Sequence, residues 1–196
     1  MTQFRNNQPA LPLALAVFVV SSVLIWFAPI WQMGDRVRVD EQLFHWPAIE
    51  HFARGDGPQD YSSATTPGFH IFMAALRVGL HLTLDELRTV GALITALLVW
   101  VATLIWPRGL PFWRVLFLSL PLATSIYLFP SGVWLVPDNL GWLTVVCVLF
   151  LSFKDRIAWA ELALLGLLGA AVVWVRQSNA WVVGVPALAL LLQYQA

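Results

Sequence analysis

Long apolar runs separated by short polar breaks dominate this chain and restrict what it can fold into. The first, Leu11 to Trp31, is roughly 20 residues, enough to cross a hydrocarbon core. Further runs are Val90–Trp106, Val115–Leu135, Leu140–Phe153, Ala158–Val175 and Trp181–Leu192. The breaks read Pro107-Arg108-Gly109, Pro137-Asp138-Asn139, Lys154-Asp155-Arg156 and Arg176-Gln177-Ser178-Asn179. Helices are the expected form, because an open strand in lipid leaves backbone groups unpaired. The expected fold class is therefore all-α: a polytopic transmembrane helical bundle, with residues 1–196 as a single transmembrane domain.

Composition agrees with that reading and excludes several function classes. Charged residues are 11% of the chain and hydrophobic residues 59%. A soluble domain carries about 25% charged residues, so these charges are too few to clothe a water-facing surface. A formal net charge of zero removes the electrostatic footprint of a nucleic-acid partner. The lone cysteine, Cys147, lies inside an apolar run and supports neither a disulfide framework nor a cysteine metal site. Eleven Trp suit the membrane–water boundary. Ala28-Pro29-Ile30 before Trp31 is a poor cleavage site, so the first run reads as an uncleaved span rather than a signal peptide.

Charge bias sets the expected topology. The stretch Pro67–Leu82 carries His70, Arg77 and His81 and is ambiguous as a span. Laid in the interface as a juxtamembrane helix, it leaves Arg5, Arg108, Arg114, Lys154 and Arg156 all on the cytoplasmic side. The layout is then a cytoplasmic tail at 1–10, a first span at 11–31, an extracytoplasmic loop with juxtamembrane helices at 32–88, and further spans over 90–192. The long loop, the Asp138 turn and the Arg176 turn would share the extracytoplasmic face.

That face holds the residues able to carry chemistry. After the first span the chain reads Val37-Arg38-Val39-Asp40-Glu41-Gln42-Leu43-Phe44-His45-Trp46-Pro47. The adjacent acids Asp40 and Glu41 suit a general base or a metal ligand, and equally a solvated helix start with acids near its positive end. Glu41 and His45 are four apart and share one face of a helix. Asp138 fits either a helix cap or a catalytic acid. Arg176 suits bidentate binding of phosphate oxygens, and equally a side chain snorkelling from a helix end. Gln177, Ser178 and Asn179 add neutral donors beside it. His45, His51, His70 and His81 share the loop without the spacing of a metal motif, so surface or capping histidines are expected. Trp46, Phe52, Tyr61 and Phe69 suit packing against sugar rings or lipid, and interface anchoring equally.

Four segments taken in order resemble a known family. Asp40-Glu41 followed by Phe44-His45-Trp46-Pro47, then Ala64-Thr65-Thr66-Pro67-Gly68, then Arg176-Gln177-Ser178-Asn179 with Trp181, look like the ALG10/DIE2 family of alpha-1,2-glucosyltransferases, multispanning GT-C enzymes. Asp138 resembles the acid that such enzymes carry at the outer end of a mid-chain helix. The family pattern is Asp-Glu-x-Phe-His-x-Pro, so this chain has one extra residue between the acidic pair and Phe44-His45. Aligned without a gap from His45, Glu41 takes the family's Asp position. Asp40 is the first choice for base and Glu41 remains open. Thr65-Thr66-Pro67-Gly68 is one residue shorter than the family's Thr-Thr-x-Pro-Gly.

The resemblance implies a membrane glycosyltransferase that moves a hexose, glucose by the family's donor, from a polyprenyl-phosphate sugar to a lipid-linked or cell-envelope glycan acceptor. It implies Asp40, Glu41 and Asp138 as catalytic candidates. It also implies His45, Thr65, Thr66, Arg176, Gln177, Ser178 and Asn179 as substrate-binding candidates, with a divalent metal left open as cofactor. GT-C enzymes generally have more spans than this chain supplies, so the expectation is an N-terminal portion of such an enzyme. A membrane transporter or flippase-like subunit for a lipid-linked or anionic solute is the alternative from a different class, and a non-catalytic assembly partner is a third.

Overall fold

A computed structural model of the chain describes residues 10–28, 36–58, 61, 65–104, 109–125, 127–154 and 157–195. Arg5, Arg108 and Arg156 of the charge argument, and Ala64 of the second motif, lie outside the described residues. The described residues are all-helical, with no strand among them. The helices are α1 (Ala10–Phe27), α2 (Arg36–Asp40), α3 (Trp46–Ala53), α4 (Gly68–Leu80), α5 (Leu84–Leu104), α6 (Phe112–Ala123), α7 (Pro130–Val133), α8 (Asp138–Ser152), α9 (Trp159–Val175) and α10 (Gly184–Gln195). A π turn, Glu41–His45, joins α2 to α3, and a 3-10 turn, Gln177–Val183, leads into α10. Among the described residues one helix, Leu84–Leu104, is long and apolar enough to cross a membrane; the other apolar helices are shorter.

Local chemistry accounts for the helix ends. α5 starts six residues before the apolar run at Val90, because Thr83 and Glu86 form a reciprocal cap. The Thr83 backbone N–H and hydroxyl both donate to the Glu86 carboxylate at 2.7 Å, and the Glu86 N–H donates back to the Thr83 hydroxyl. Asp85 and Arg88 are therefore on a helix rather than in the long loop. α4 stops at His81, which takes the left-handed conformation usual after a helix end. The apolar run Val115–Leu135 is not one helix. Pro121 lies within α6, the helix ends at Ala123, and Pro130 opens the separate α7. Proline lacks the N–H that would continue the ladder, so hydropathy alone overstates the length of this element.

α1 packs along α5, α5 against α8, α8 against α9, and α3 against α4. The core beneath the polar end is built from Ile49, Phe69, Met73, Leu87, Leu135 and Val175. Phe69 is thus buried core and not an exposed platform for a sugar ring. Asn139 ties α8 to α5 and to the α6–α7 break, donating to the Thr95 hydroxyl at 2.6 Å and the Leu128 carbonyl at 2.9 Å. Large apolar side chains also face outward: Leu15, Val19, Val23 and Trp26 from α1, Trp113 and Phe117 from α6, Leu167 and Trp174 from α9, and Leu188 and Leu191 from α10.

Candidate functional site

The two adjacent acids have different surroundings. Glu41 is 1% exposed, and its carboxylate accepts from Arg88 Nε at 3.1 Å and from Arg88 Nη2. It also accepts from the Leu135 backbone N–H at 2.6 Å. Arg88 pairs in addition with Asp85 at 2.7 Å and lies over the Trp134 ring. Glu41 is therefore engaged on both oxygens, and it pins the π turn to α5 and to the segment before α8. Asp40, one residue earlier, is exposed and has no hydrogen-bond partner among the described residues.

Glu41 and His45 do share a buried face, as their spacing implied, but through a π turn rather than an α turn. A π turn adds about one residue per turn relative to an α-helix. Asp40 is consequently near enough to His45 for its charge to favour the imidazolium form.

Two of the four histidines, His45 and His70, depart from the surface or capping role expected of them. His45 is 8% exposed and His70 0%. His45 Nδ1 lies 2.9 Å from His70 Nε2, and the rings are stacked. His70 Nδ1 lies 2.8 Å from the Tyr61 hydroxyl, which in turn lies 3.4 Å from the Thr65 hydroxyl. Burial pushes His45 down from 6.5 to about 4, against the opposing pull of Asp40 and with a further lowering by Arg176. Burial, then the neighbouring His45, lowers His70 to about 3. Both rings are neutral at pH 7. His51 faces Asp56 and the Gly57 carbonyl, while His81 is exposed at the end of α4.

The later motifs converge on the end of α9. The Thr66 hydroxyl donates to the Val173 carbonyl at 3.1 Å. Gly68 packs against the Trp174 backbone so closely that a Cβ would collide with its carbonyl. The next residues after that packing are Val175 and Arg176. Arg176 pairs with Asp138 at the start of α8, and its Nε donates to the Ser178 hydroxyl at 3.3 Å. Asp138 is in the first turn of α8 with Pro137 as the cap, so its carboxylate is directed to Arg176. Gly141, one turn on, lets the Arg176–Asn179 turn approach α8: a Cβ there would meet Asn179 Nδ2 at 3.1 Å. Gln177 and Ser178 are exposed, whereas Asn179 is 5% exposed and its Nδ2 has no hydrogen-bond partner among the described residues.

Asp138, Arg176, Ser178 and Asn179, with Ser125 and Tyr127, form the polar part of a cleft of about 580 Å³. The rest of its wall includes Leu98, Ala102, Leu122, Leu128, Trp142 and Val146. The cleft is amphipathic, with an ion pair and an unused buried donor beside an apolar trough. Among the described residues, no group of three His, Cys, Asp or Glu side chains is placed to hold a metal ion. Comparison with family models, curated proteins and solved structures finds no match to this chain.

Arg88, His70 and Tyr61 were not singled out for these roles by the sequence. Arg88 had one available signal, the Thr83-x-x-Glu86 capping pattern, which places it on a helix. The contacts of His70 and Tyr61 with His45 have no signature in spacing.

Proposed function

We propose that this chain is part of a multi-pass membrane glycosyltransferase of the GT-C type. It moves a hexose, glucose by resemblance, from a polyprenyl-phosphate sugar to a lipid-linked or cell-envelope glycan acceptor. The observation that carries the reading is the amphipathic cleft, in which Arg176, Ser178 and Asn179, whose Nδ2 lacks a partner among the described residues, stand beside an apolar trough. A lipid phosphate has the matching chemistry, an anionic head on a hydrocarbon tail. The outward-facing apolar side chains of α1, α6, α9 and α10 support placement in lipid, and the charge bias of the sequence favours the extracytoplasmic side for the polar site.

The reaction assigned to these residues is a direct displacement. The acceptor hydroxyl attacks the anomeric carbon, its proton passes to the Asp40 carboxylate, and the bond from that carbon to the phosphate oxygen breaks. The leaving polyprenyl phosphate carries the charge, which Arg176 and the neutral donors of residues 177–179 stabilise. Asp138 holds the guanidinium in place. Thr65 and Thr66 lie in the segment packed against the end of α9, which suits them to bind substrate beside it. The π turn supports Asp40 over Glu41, since it offsets the extra residue of the first motif and leaves Asp40 without a partner among the described residues.

The test is transfer by membranes carrying the protein, supplied with labelled polyprenyl-phosphate hexoses and a lipid extract as acceptor. Labelled lipid-linked product supports the reading, and its absence from folded protein across the donors defeats it. The same cleft favours, as a second reading, a flippase-like subunit for lipid phosphates. Movement of labelled lipid between leaflets without sugar transfer would select that one.

A further inference from the structure

Tyr61, His70, His45 and Thr65 form a chain of polar contacts whose direction can be worked out. Its links are 3.4 Å from Thr65 to Tyr61, 2.8 Å from Tyr61 to His70 and 2.9 Å from His70 to His45. A neutral imidazole has one N–H and one lone pair, so each ring that donates on one side must accept on the other. Two such rings in direct N···N contact must therefore point the same way along the chain.

The Tyr61 hydroxyl fixes which way. His70 Nδ1 is much nearer to it than the Thr65 hydroxyl, and a phenol O–H is a stronger donor to an imidazole lone pair than its oxygen is an acceptor. Tyr61 then donates to His70 Nδ1, and the proton of His70 is on Nε2. His70 in turn donates to His45 Nδ1, leaving the proton of His45 on Nε2. That nitrogen has no partner among the described residues, and the charges of Asp40 and Arg176 both act on the ring. Burial keeps both imidazoles neutral, which preserves the ordered arrangement.

We propose that Tyr61 and His70 are positioning residues that lock His45 in the Nε2–H tautomer, so that it meets a phosphate oxygen of the sugar donor as a neutral hydrogen-bond donor within the field of Arg176. This rests on the transferase reading above. A neutral donor adds no charge that would hold the departing phosphate too tightly, and it cannot compete with Asp40 for the acceptor's proton. His45 is thus a donor to the substrate and not a second base.

The test is two-bond proton–nitrogen NMR of the protein labelled with nitrogen-15 histidine, in detergent. The expected spectrum has His45 protonated on Nε2 and unprotonated on Nδ1, with the same pattern for His70. In Tyr61→Phe the two tautomers of His70 and His45 mix, and kcat for sugar transfer falls about tenfold, the size of one lost hydrogen bond. Wild-type His45 carrying its proton on Nδ1 overturns the proposal, whether or not transfer is seen. Tautomers and kcat both unchanged in Tyr61→Phe overturn it as well. Failure of the transferase reading is recognised separately, as wild-type protein with the expected tautomers and no transfer.

Discussion

Arg88 with Glu41 and Arg176 with Asp138 are both guanidinium–carboxylate pairs, placed in opposite surroundings. The first is buried, and its carboxylate also takes the Leu135 N–H, so its hydrogen-bonding capacity is committed within the fold. The second is about one-third exposed at the edge of a cleft, beside the Asn179 side chain, whose Nδ2 has no acceptor among the described residues. A buried pair with every group satisfied holds elements together. A half-exposed pair with donors to spare is suited to receive a ligand. The same contrast separates the neighbouring acids Asp40 and Glu41.

Arg88→Ala breaks this comparison most directly. Removing one partner of a buried pair leaves an uncompensated charge and costs about 3–5 kcal/mol. Denaturant unfolding in detergent should show that loss for Arg88→Ala, and a loss of under about 1 kcal/mol for Arg176→Ala. Equal losses would mean that the two pairs do the same work.

His45 stands between the two regions, on the π turn with Glu41 and within the field of Arg176. His45 faces His70, Asp40 and Arg176, and His70 faces His45 and Tyr61. Both rings are neutral in the fold and return to an ordinary value of 6.5 when unfolded. Between pH 6.5 and about 4 the unfolded chain therefore holds more protons than the folded one. Their stabilisation is fully present above pH 6.5 and falls as the pH drops through that window, by about 3 kcal/mol for His45. Thermal unfolding at stepped pH reads this directly, and a flat profile from pH 7 to pH 4.5 would contradict it.

For the cleft, Arg176→Ala should reduce sugar transfer by about 10²-fold, the usual loss on removing one charge-stabilising donor. Kinetics with Arg176→Lys sharpen the result, since a point charge restores attraction without the bidentate geometry. The smallest effect is expected from Thr83→Ala, which uncaps the helix carrying Arg88. Unfolding should shift by about 1 kcal/mol with transfer unchanged. A loss of transfer in that variant would tie the buried region to catalysis and weaken the division drawn here.

Much of this was legible in the sequence. Apolar runs bounded by Pro137-Asp138 and Arg176-Gln177 correspond to α8 and α9 nearly to the residue, because a helix whose surroundings are apolar on most sides shows itself by composition alone. Asp138 and Arg176 were legible as polar breaks, though not as partners. The break after α6 was hidden, since Pro121 and Pro130 interrupt a run that hydropathy reads as continuous. Arg88 reads as one more charge at the end of a polar loop, and only its distance from Glu41 in space makes it structural. The burial of His45 and His70 was hidden for a related reason: each is satisfied by the other across 25 residues, and such pairing leaves no mark on local spacing.

The central claim is that Asp40, not Glu41, takes the proton in a sugar transfer at this site. The most direct test compares wild type and Asp40→Asn for transfer from labelled polyprenyl-phosphate hexoses, with unfolding followed in the same preparations. The account predicts a loss of about 10²- to 10⁴-fold in Asp40→Asn with stability unchanged. Transfer at the wild-type rate in folded Asp40→Asn would contradict it.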